Sequence, residues 1–298
     1  MTFEEYQNKI ENQESAGEAL TALMENIAHK TQLELVENFG DNAADILDKK
    51  NCINMRSFLK KSGGELSKEE VKHDEKSNQE KELAWSGATN EGVRKYYKEK
   101  FGYDTTDELL HQYRTDKLKH KGTIVEMAIT SLLYKFLHDK YIVVRASTYD
   151  DYANGIDNVI VNKQTGEVIC TFDEVYDNRE HERVEAKNKK ILDKAMRGGA
   201  KIKYGFSLER GEDGQRKLVK RQIQNIPTFY LAMTDKQLDE LLQNRQSDAM
   251  TSITASERAV FEKLLSSLTE QIAWLQNHDI PSQVRSQIDQ FANILEKL

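Results

Sequence analysis

The chain has 298 residues, of which 38% are hydrophobic and 31% are charged, and its net charge at neutral pH is −7. This length and apolar content suffice for one large domain or two smaller ones. The acidic balance excludes a general attraction to nucleic acid, so binding to a polyanion would need a local basic patch. Cys52 and Cys170 are isolated, with neither the spacing of a metal site nor a disulfide framework.

The two ends of the chain predict helices. Residues 1–60 contain short amphipathic patterns, whereas residues 61–99 predict a polar linker because KKSGGELSKEEVKHDEKSNQEKE has almost no apolar residue. Residues 236–298 predict a helical extension that caps the core or forms an oligomerisation element, such as a homodimer through the terminal helices. The start MTFEEYQNKI lacks an apolar targeting region, and no apolar run reaches the roughly 18 residues of a membrane span, so we expect a cytoplasmic protein.

The strand signals lie in the middle of the chain, over residues 100–235. In order, the pattern predicts a helix and three strands over 123–175, a charged helix over 179–197, an alternating strand at 201–209 and, after a charged excursion, a last strand in IPTFYLAM. The predicted core is therefore αβββαβ, followed by a further strand and helices. This order indicates an α/β (α+β) protein.

The second and third of these strands form a predicted hairpin, GIDNVIVNKQTGEVICTFDEV, that contains two aspartates. A three-residue loop with Gly166 in the left-handed conformation would pair Lys163 with Glu167. Outward from this turn, Val161 would face Ile169 and Val159 would face Thr171. The same register brings two carboxylates to one face of the hairpin, those of Asp157 and Asp173.

Opposed side chains in a hairpin have Cβ atoms about 5 Å apart, so Asp157 and Asp173 would repel each other unless a cation or a shared proton lies between them. Burying the two charges would cost several kcal/mol each without such compensation. A divalent metal fits best, and oxygen ligands favour Mg²⁺ or Mn²⁺.

A third carboxylate comes from the apolar helix before the hairpin. Glu126 shares its side of that helix with Thr130, Leu133 and Leu137, so it points towards the core. The alternative is a glutamate in the first turn that the helix dipole favours and that stays in water. Both interpretations of Glu126 remain open at the level of sequence.

Over roughly residues 115–235, this arrangement resembles the PD-(D/E)XK nuclease superfamily, which has the restriction-endonuclease-like fold. The resemblance implies a central mixed sheet flanked by helices, with Asp157 and Asp173 as the sheet acids that bind Mg²⁺ and Glu126 as the assisting helical acid. It also implies a lysine that orients or activates the attacking water. Here the chain departs from the pattern, because Val175 stands two residues after Asp173, where the signature lysine is expected.

In this family a lysine from the following helix can occupy the same space. Lys187 lies beside a predicted core stripe that contains Val184 and Ile191, so it is the candidate for this role. Lys190 points to solvent, and Lys194 is a second candidate. The alternative is that all these lysines form a solvated face.

Two further acids flank the predicted site. Asp151 could add an outer ligand, although an aspartate close to Asn154-Gly155 is also typical of turn chemistry. Glu174 follows Asp173 directly and alternates to the opposite face of the strand, which favours Asp173 as the ligand.

A local excess of positive charge suits a nucleic-acid substrate. Between residues 176 and 225 there are 14 lysines and arginines against 8 acidic residues. The predicted phosphate contacts are Lys201, Lys203, Lys217, Lys220 and Arg221.

The sequence therefore predicts a metal-dependent nuclease that hydrolyses phosphodiester bonds, with DNA as the expected substrate. The alternative is a catalytically inactive nucleic-acid-binding or assembly protein that retains the nuclease fold. Val175 favours the alternative, and the three convergent acids favour the enzyme.

Overall fold

The structure is a computed structural model that describes residues 3–103, 105–177, 182–211, 214, 216–243 and 250–297. Side chains are described from residue 16 in the first helix and from residue 186 in the helix that begins at residue 182. The helices are α1 (Phe3–Phe39), α2 (Lys68–Trp85), α3 (Glu91–Phe101), α4 (Thr106–Lys117), α5 (Lys121–Leu137), α6 (Thr148–Asn154), α7 (Glu182–Met196), α8 (Asp235–Gln243), α9 (Ala255–Gln276) and α10 (Ser282–Leu295). The strands are β1 (Tyr141–Arg145), β2 (Asn158–Asn162), β3 (Val168–Tyr176), β4 (Ala200–Arg210), β5 (Arg216–Ile226) and β6 (Thr228–Met233).

Four strands form the central sheet in the order β1, β2, β3, β6. The pairs β1–β2 and β2–β3 are antiparallel. Strand β6 runs parallel to β3 and follows α7 and the β4–β5 hairpin in the chain. Helices α5, α9 and α10 contribute to the apolar cluster on one face, and β4 and β5 contribute to the cluster on the other. The prediction of a mixed α/β chain with a mixed sheet flanked by helices is confirmed.

The β2–β3 hairpin has the predicted turn glycine but a different loop register. Gly166 has a φ of 80°, as expected, and Val159 pairs with Thr171. The predicted pairs Lys163–Glu167 and Val161–Ile169 are wrong, because Asn162 pairs with Glu167 and the ladder shifts at Val161, which pairs with Val168. The cause is Asn162, whose side-chain oxygen accepts hydrogen bonds from the next backbone N–H groups and starts the turn one residue early.

The alternating strand predicted at 201–209 is correct, but its place in the fold is not. It lies in β4, which pairs with β5 in a separate two-stranded sheet, so the charged excursion of the sequence is itself largely a strand. The strand that completes the αβββαβ order is β6. The charged residues of β5 misled the prediction because its side chains alternate between buried and solvent-facing positions.

The predicted polar linker over 61–99 contains two helices. Ser67 and Glu70 form a capping box at the start of α2, which gives this highly charged helix a defined beginning. Its buried face consists largely of polar side chains, Asp74, Asn78 and Glu82 among them, which hydropathy alone cannot detect. Residues 1–60 likewise contain one long helix, α1, rather than several short ones.

The C-terminal helices pack onto the central sheet. Apolar residues of α9 and α10 belong to the same buried cluster as α5 and β3, so the faces that suggested an oligomerisation element are used inside the chain. Gln271 of α9 also binds the backbone of Tyr230 in β6, accepting from its N–H at 3.0 Å and donating to its carbonyl at 2.9 Å. Among the described residues, no helix combines the length and apolarity needed to cross a bilayer.

Gln271 provides hydrogen-bond partners for the backbone of Tyr230 in the edge strand β6, so we expect it to contribute measurably to stability. Gln271→Ala should lower the free energy of unfolding by about 2 to 4 kcal/mol, because a buried N–H and a buried carbonyl lose their partners. Urea denaturation provides the measurement. Gln276→Ala, on the exposed side of the same helix, should change the stability by less than about 0.5 kcal/mol. Equal changes in the two variants would contradict this role.

Candidate nuclease site

The two hairpin aspartates lie where β2 begins and β3 approaches its end. Asp157 directly precedes β2, and its N–H donates to the carbonyl of Phe172 at 2.8 Å, one residue out of the register that pairs Asn158 with Phe172. Its carboxylate Oδ2 accepts a 2.5 Å hydrogen bond from the backbone N–H of Glu174. The antiparallel register ends with Asn158 paired to Phe172, so Asp157 lies beside the segment of β3 that runs from Phe172 to Glu174.

Helix α7 brings a lysine to this pair. Lys187 Nζ lies 2.5 Å from Asp173 Oδ2, and both side chains are largely shielded from solvent. Ile191 and Ala195 are buried while Lys190 is exposed, so α7 has the orientation expected from its pattern. The described part of the helix therefore places Lys187 beside Asp173, and its catalytic role remains a prediction.

The helical acid Glu126 faces the sheet and is bound by an arginine. Arg145, the last residue of β1, donates from Nη2 to Glu126 Oε2 at 2.9 Å, and its side chain is only 11% exposed. The backbone of Arg145 is held in turn by residues 51–53, because its N–H donates to Asn51 and its carbonyl accepts from Ile53. The interpretation of Glu126 as a fully solvated residue is therefore wrong.

Glu174 also belongs to the buried acidic group, which the alternation of the strand did not indicate. It lies on the α5 side of the sheet, where its Oε1 accepts a short hydrogen bond from Asn158. Asn158 is bonded to Thr130 of α5. The second oxygen, Oε2, is buried and has no hydrogen-bond partner among the described residues.

Burial and mutual repulsion shape the charge of these carboxyls. Burial raises the pKa of Asp157 well above its ordinary value, and the nearby carboxylates of Glu126, Asp151 and Asp173 raise it further. Burial, followed by Glu126, raises the pKa of Asp151 to about 6. The pKa of Glu174 is raised by burial and then by Asp157 and Glu126. Ionising these carboxyls together is therefore unfavourable unless further positive charge is present.

Lys194 supports the loop before Asp157. Its ammonium donates to the backbone carbonyls of Asn154 at 2.8 Å and Gly155 at 3.1 Å. Burial lowers its pKa, while the charge of Asp173 acts in the opposite direction. Lys194 thus holds the backbone that leads into β2, and Lys187 is the lysine in contact with the carboxylate.

The carboxylates fit a Mg²⁺ ion only in part. Mg²⁺ is commonly held by one or two carboxylates together with water and substrate phosphate, which suits Asp157 and Asp173. A cation there would also relieve the repulsion that raises the pKa of Asp157. However, within the described part of the chain, no group of three or more His, Cys, Asp or Glu side chains has the geometry to hold a metal ion. Glu126 is directed to Arg145 and not to the aspartate pair.

The basic patch predicted on β4 and β5 is largely committed to internal contacts. Lys203 pairs with Asp74 at 2.5 Å, and Arg221 pairs with Glu209 at 2.5 Å. Lys220 is only 2% exposed, and its ammonium donates to the carbonyl of Ser62. These three cations have partners within the chain, and their role as phosphate contacts stays a prediction. Lys201 and Lys217 remain exposed.

A different set of cations lines a cleft beside Glu126 and Asp151. The cleft, of about 800 Å³, opens beside Glu126, Arg145 and Asp151. Its other walls come from residues 48–56 and from α2 and α4, and they include the basic side chains Lys49, Lys50, Arg56, Arg114 and Lys117. Arg56 and Arg114 are paired with glutamates of α2. The sequence did not indicate this cleft, because its walls come from segments that were assigned to an N-terminal region and a linker.

No protein-family model, curated protein or solved structure matches this chain. The candidate site therefore rests on its residues and their geometry. Sequence reasoning found Asp157, Asp173 and Lys187, but it missed Arg145. A signal was present, since an arginine at the end of an otherwise apolar strand calls for a buried partner.

Binding of a divalent cation can be measured through stability. Mg²⁺ or Mn²⁺ should raise the melting temperature of the wild type by mass action, and Asp157→Asn should abolish the rise. In EDTA the same variant should be more stable than the wild type at neutral pH, because it removes a carboxylate whose buried charge is repelled by its neighbours.

Asp107→Asn, an exposed residue in the first turn of α4, is the matched control and should retain the full response to the ion. An undiminished rise in Asp157→Asn would show that the cation binds elsewhere. No rise in the wild type would remove the metal from the proposed site.

Proposed function

We propose that the chain is a metal-dependent nuclease that hydrolyses phosphodiester bonds, with DNA as the expected substrate. The observation that carries the proposal is the contact between Lys187 and Asp173 next to Asp157. It supplies a lysine from the following helix to a chain that has Val175 at the signature position. Asp157, Asp173 and Lys187 come from separate segments of the chain, and they would be the two acids and the cation of the PD-(D/E)XK pattern.

The order of the elements supports a restriction-endonuclease-like core. Helix α5 is followed by the antiparallel strands β1, β2 and β3, with the short helix α6 between β1 and β2, then by α7 and by β6 parallel to β3. This agrees with the αβββαβ order and the mixed sheet that the resemblance implies. The β4–β5 hairpin would then be an insertion between α7 and the last core strand.

In this proposal Asp157 and Asp173 would be the carboxylates that hold Mg²⁺ or Mn²⁺. The ion supplies positive charge to the phosphate and lowers the pKa of the attacking water. Lys187 orients that water and stabilises the negative charge that develops on the phosphate oxygens. Because its ammonium is bound to Asp173 before substrate arrives, it needs little reorganisation to act beside that carboxylate.

Glu126 has an assisting role, and Arg145 positions it. The 2.9 Å contact between Arg145 and Glu126 holds the helical carboxylate at the edge of the cleft. Glu126 would then be held in position to bind a water molecule in the cleft. Asp151, which lines the same cleft and has a pKa raised to about 6, is a further candidate to assist there.

A second function has a specific observation in its favour. Arg145 is directed at Glu126 and Lys187 at Asp173, so two of the three predicted acids have cationic partners within the chain. A nucleic-acid-binding or assembly protein that has lost the reaction could keep such pairs for stability alone. In that case Lys187 would compensate the buried charge of Asp173.

The two functions differ in the effect of removing the ammonium. Lys187→Ala should lower cleavage by about 10²-fold or more while leaving substrate affinity mostly intact, because a charge used mainly in the transition state changes the rate more than the binding. The assay uses plasmid, linear duplex, single-stranded DNA and RNA, each with Mg²⁺, Mn²⁺ or EDTA. Lys190→Ala, on the exposed side of α7, is the control and should cleave like the wild type.

A rescue variant tests whether position 175 can supply the same charge. Val175 is half-buried and lies on the same strand two residues after Asp173. Val175→Lys in the Lys187→Ala background should recover part of the metal-dependent cleavage, if cleavage requires an ammonium beside Asp173 and not Lys187 itself.

If no substrate is cleaved with either metal by the wild type, the nuclease proposal fails and the binding protein takes its place. The melting temperature of Lys187→Ala shows whether a loss of cleavage comes from the missing ammonium or from a failure to fold. A folded variant with wild-type cleavage would exclude Lys187 from the mechanism.

A further inference from the structure

Helix α3 exposes a cluster of aromatic rings outside the candidate site. The helix spans Glu91–Phe101 and has no buried residue. Tyr96 is 51% exposed and Phe101 is 44% exposed, which is unusual for large apolar side chains. Tyr97 and Tyr103 lie beside them and are half-buried. We refer to Tyr96, Tyr97, Phe101 and Tyr103 as the aromatic patch.

The rings of the patch form an ordered arrangement. Tyr97 stacks on Phe101 with ring centroids 5.7 Å apart, and Phe101 stacks on Tyr103 at 5.6 Å. The planes of Tyr97 and Tyr103 differ by only 13°. The ring of Tyr96 stands edge-on to that of Phe101. Three nearly parallel rings with exposed area offer flat surfaces on which another planar group can stack.

Positive charge surrounds these rings. Helix α3 carries Arg94, Lys95, Lys98 and Lys100 against Glu91 and Glu99, an excess of two positive charges in a chain whose net charge is −7. The ammonium of Lys100 lies 5.2 Å from the ring centroid of Tyr96 and 5.0 Å from that of Phe101. The local charge therefore has the opposite sign to that of the whole chain.

The composition of the helix argues against an apolar protein partner. Val93 is its only aliphatic residue larger than alanine, and the remaining apolar side chains are all aromatic. Helices that dock into a protein groove present a continuous apolar face with anchors at i, i+3, i+4 and i+7, whereas the rings of α3 are interspersed with charged residues. Aromatic rings interleaved with lysines instead match a ligand that combines planar groups with negative charge.

We propose that α3 and Tyr103 bind single-stranded nucleic acid, with bases stacked on the aromatic patch and phosphates contacted by the lysines of α3. Single strands fit because their bases are free to stack on protein rings, whereas duplex bases are stacked on one another. The inference rests on the proposed function for the identity of the ligand as nucleic acid. It adds that the substrate includes an unpaired segment.

Folding supports this use of the helix. Asn90 caps the start of α3 by accepting hydrogen bonds from the backbone N–H groups of Gly92 and Val93. Gly102, with a φ of 72°, ends the helix and turns the chain so that Tyr103 comes back against Phe101. The helix is thus defined by its caps and its own ring contacts, and the aromatic side chains stay at the surface.

The binding test uses fluorescence anisotropy with labelled oligothymidylate, a DNA duplex of equal length and oligouridylate, all in EDTA to prevent cleavage. The double variant Tyr96→Ala/Phe101→Ala should weaken single-strand binding by about tenfold or more, since each stacked base depends on a ring. Its affinity for the duplex should be unchanged. Leu33→Ala, an exposed aliphatic residue on α1, is the control and should bind like the wild type.

Conservative variants separate stacking from simple apolarity. Tyr96→Phe/Phe101→Tyr should restore single-strand binding, whereas Tyr96→Leu/Phe101→Leu should not. Lys95→Ala should reduce the salt dependence of binding, by about 0.7 in the slope of log K against log salt. Melting temperatures of all variants should stay near that of the wild type, because α3 has no buried residue and its ring contacts lie outside the two apolar clusters of the core.

Single-strand binding that is equal in the wild type and the double alanine variant would overturn the inference. Full binding by the leucine variant would also overturn it. If the wild type self-associates, and the double alanine variant does not but still binds the oligonucleotide, the occupant of the patch is a second copy of the chain. Cleavage by the wild type together with unaltered binding by the variants would refute this inference alone. Patch-dependent binding without any cleavage would refute the nuclease proposal alone.

Discussion

The cost of burying negative charge at one end of the sheet is the constraint on which the rest of the site depends. Asp157 and Glu174 both have pKa values raised by burial and by other carboxylates. Such a group is tolerated only where cations and N–H donors compensate it. Arg145 supplies one cation, Lys187 another, and the backbone of Glu174 supplies an N–H. Each donor comes from a different element, so the sheet and α5 and α7 must assemble together.

The same constraint explains how far the sequence could be interpreted. A hairpin is a local structure, so its two strands, the turn glycine Gly166 and the pairing of Val159 with Thr171 could be predicted, whereas the roles of the two aspartates stay predictions. The error at Val161 arose at Asn162, and the predicted register holds again from Ile160 to Asn158. Lys187 could be predicted from helical periodicity around Ile191.

The remaining parts depend on contacts between distant segments. Arg145 and Glu126 are 19 residues apart, and their pairing follows from how β1 packs on α5. The partner of Lys203 is Asp74, in a segment whose composition predicts a linker. A pattern of charges in β4 and β5 cannot reveal whether each cation faces solvent or a buried carboxylate. The partners of these cations within the chain could not be predicted for that reason, and the cleft beside Glu126 was missed for the same reason.

The short pairing between residues 51–53 and Arg145 has a consequence for how the molecule reaches its final state. Asn51 receives the N–H of Arg145 across 94 positions of the chain, and Asn51 Nδ2 also donates to the carbonyl of Val143. Closing so long a loop costs entropy before its contacts contribute, which makes such contacts slow to form. The site arginine would thus acquire its fixed backbone only after the early part of the chain has docked on β1. The site would then be completed late in folding. A break in the chain between residues 54 and 140 would loosen the backbone contacts of Arg145 with residues 51–53, whereas the β2–β3 hairpin would keep its own local contacts.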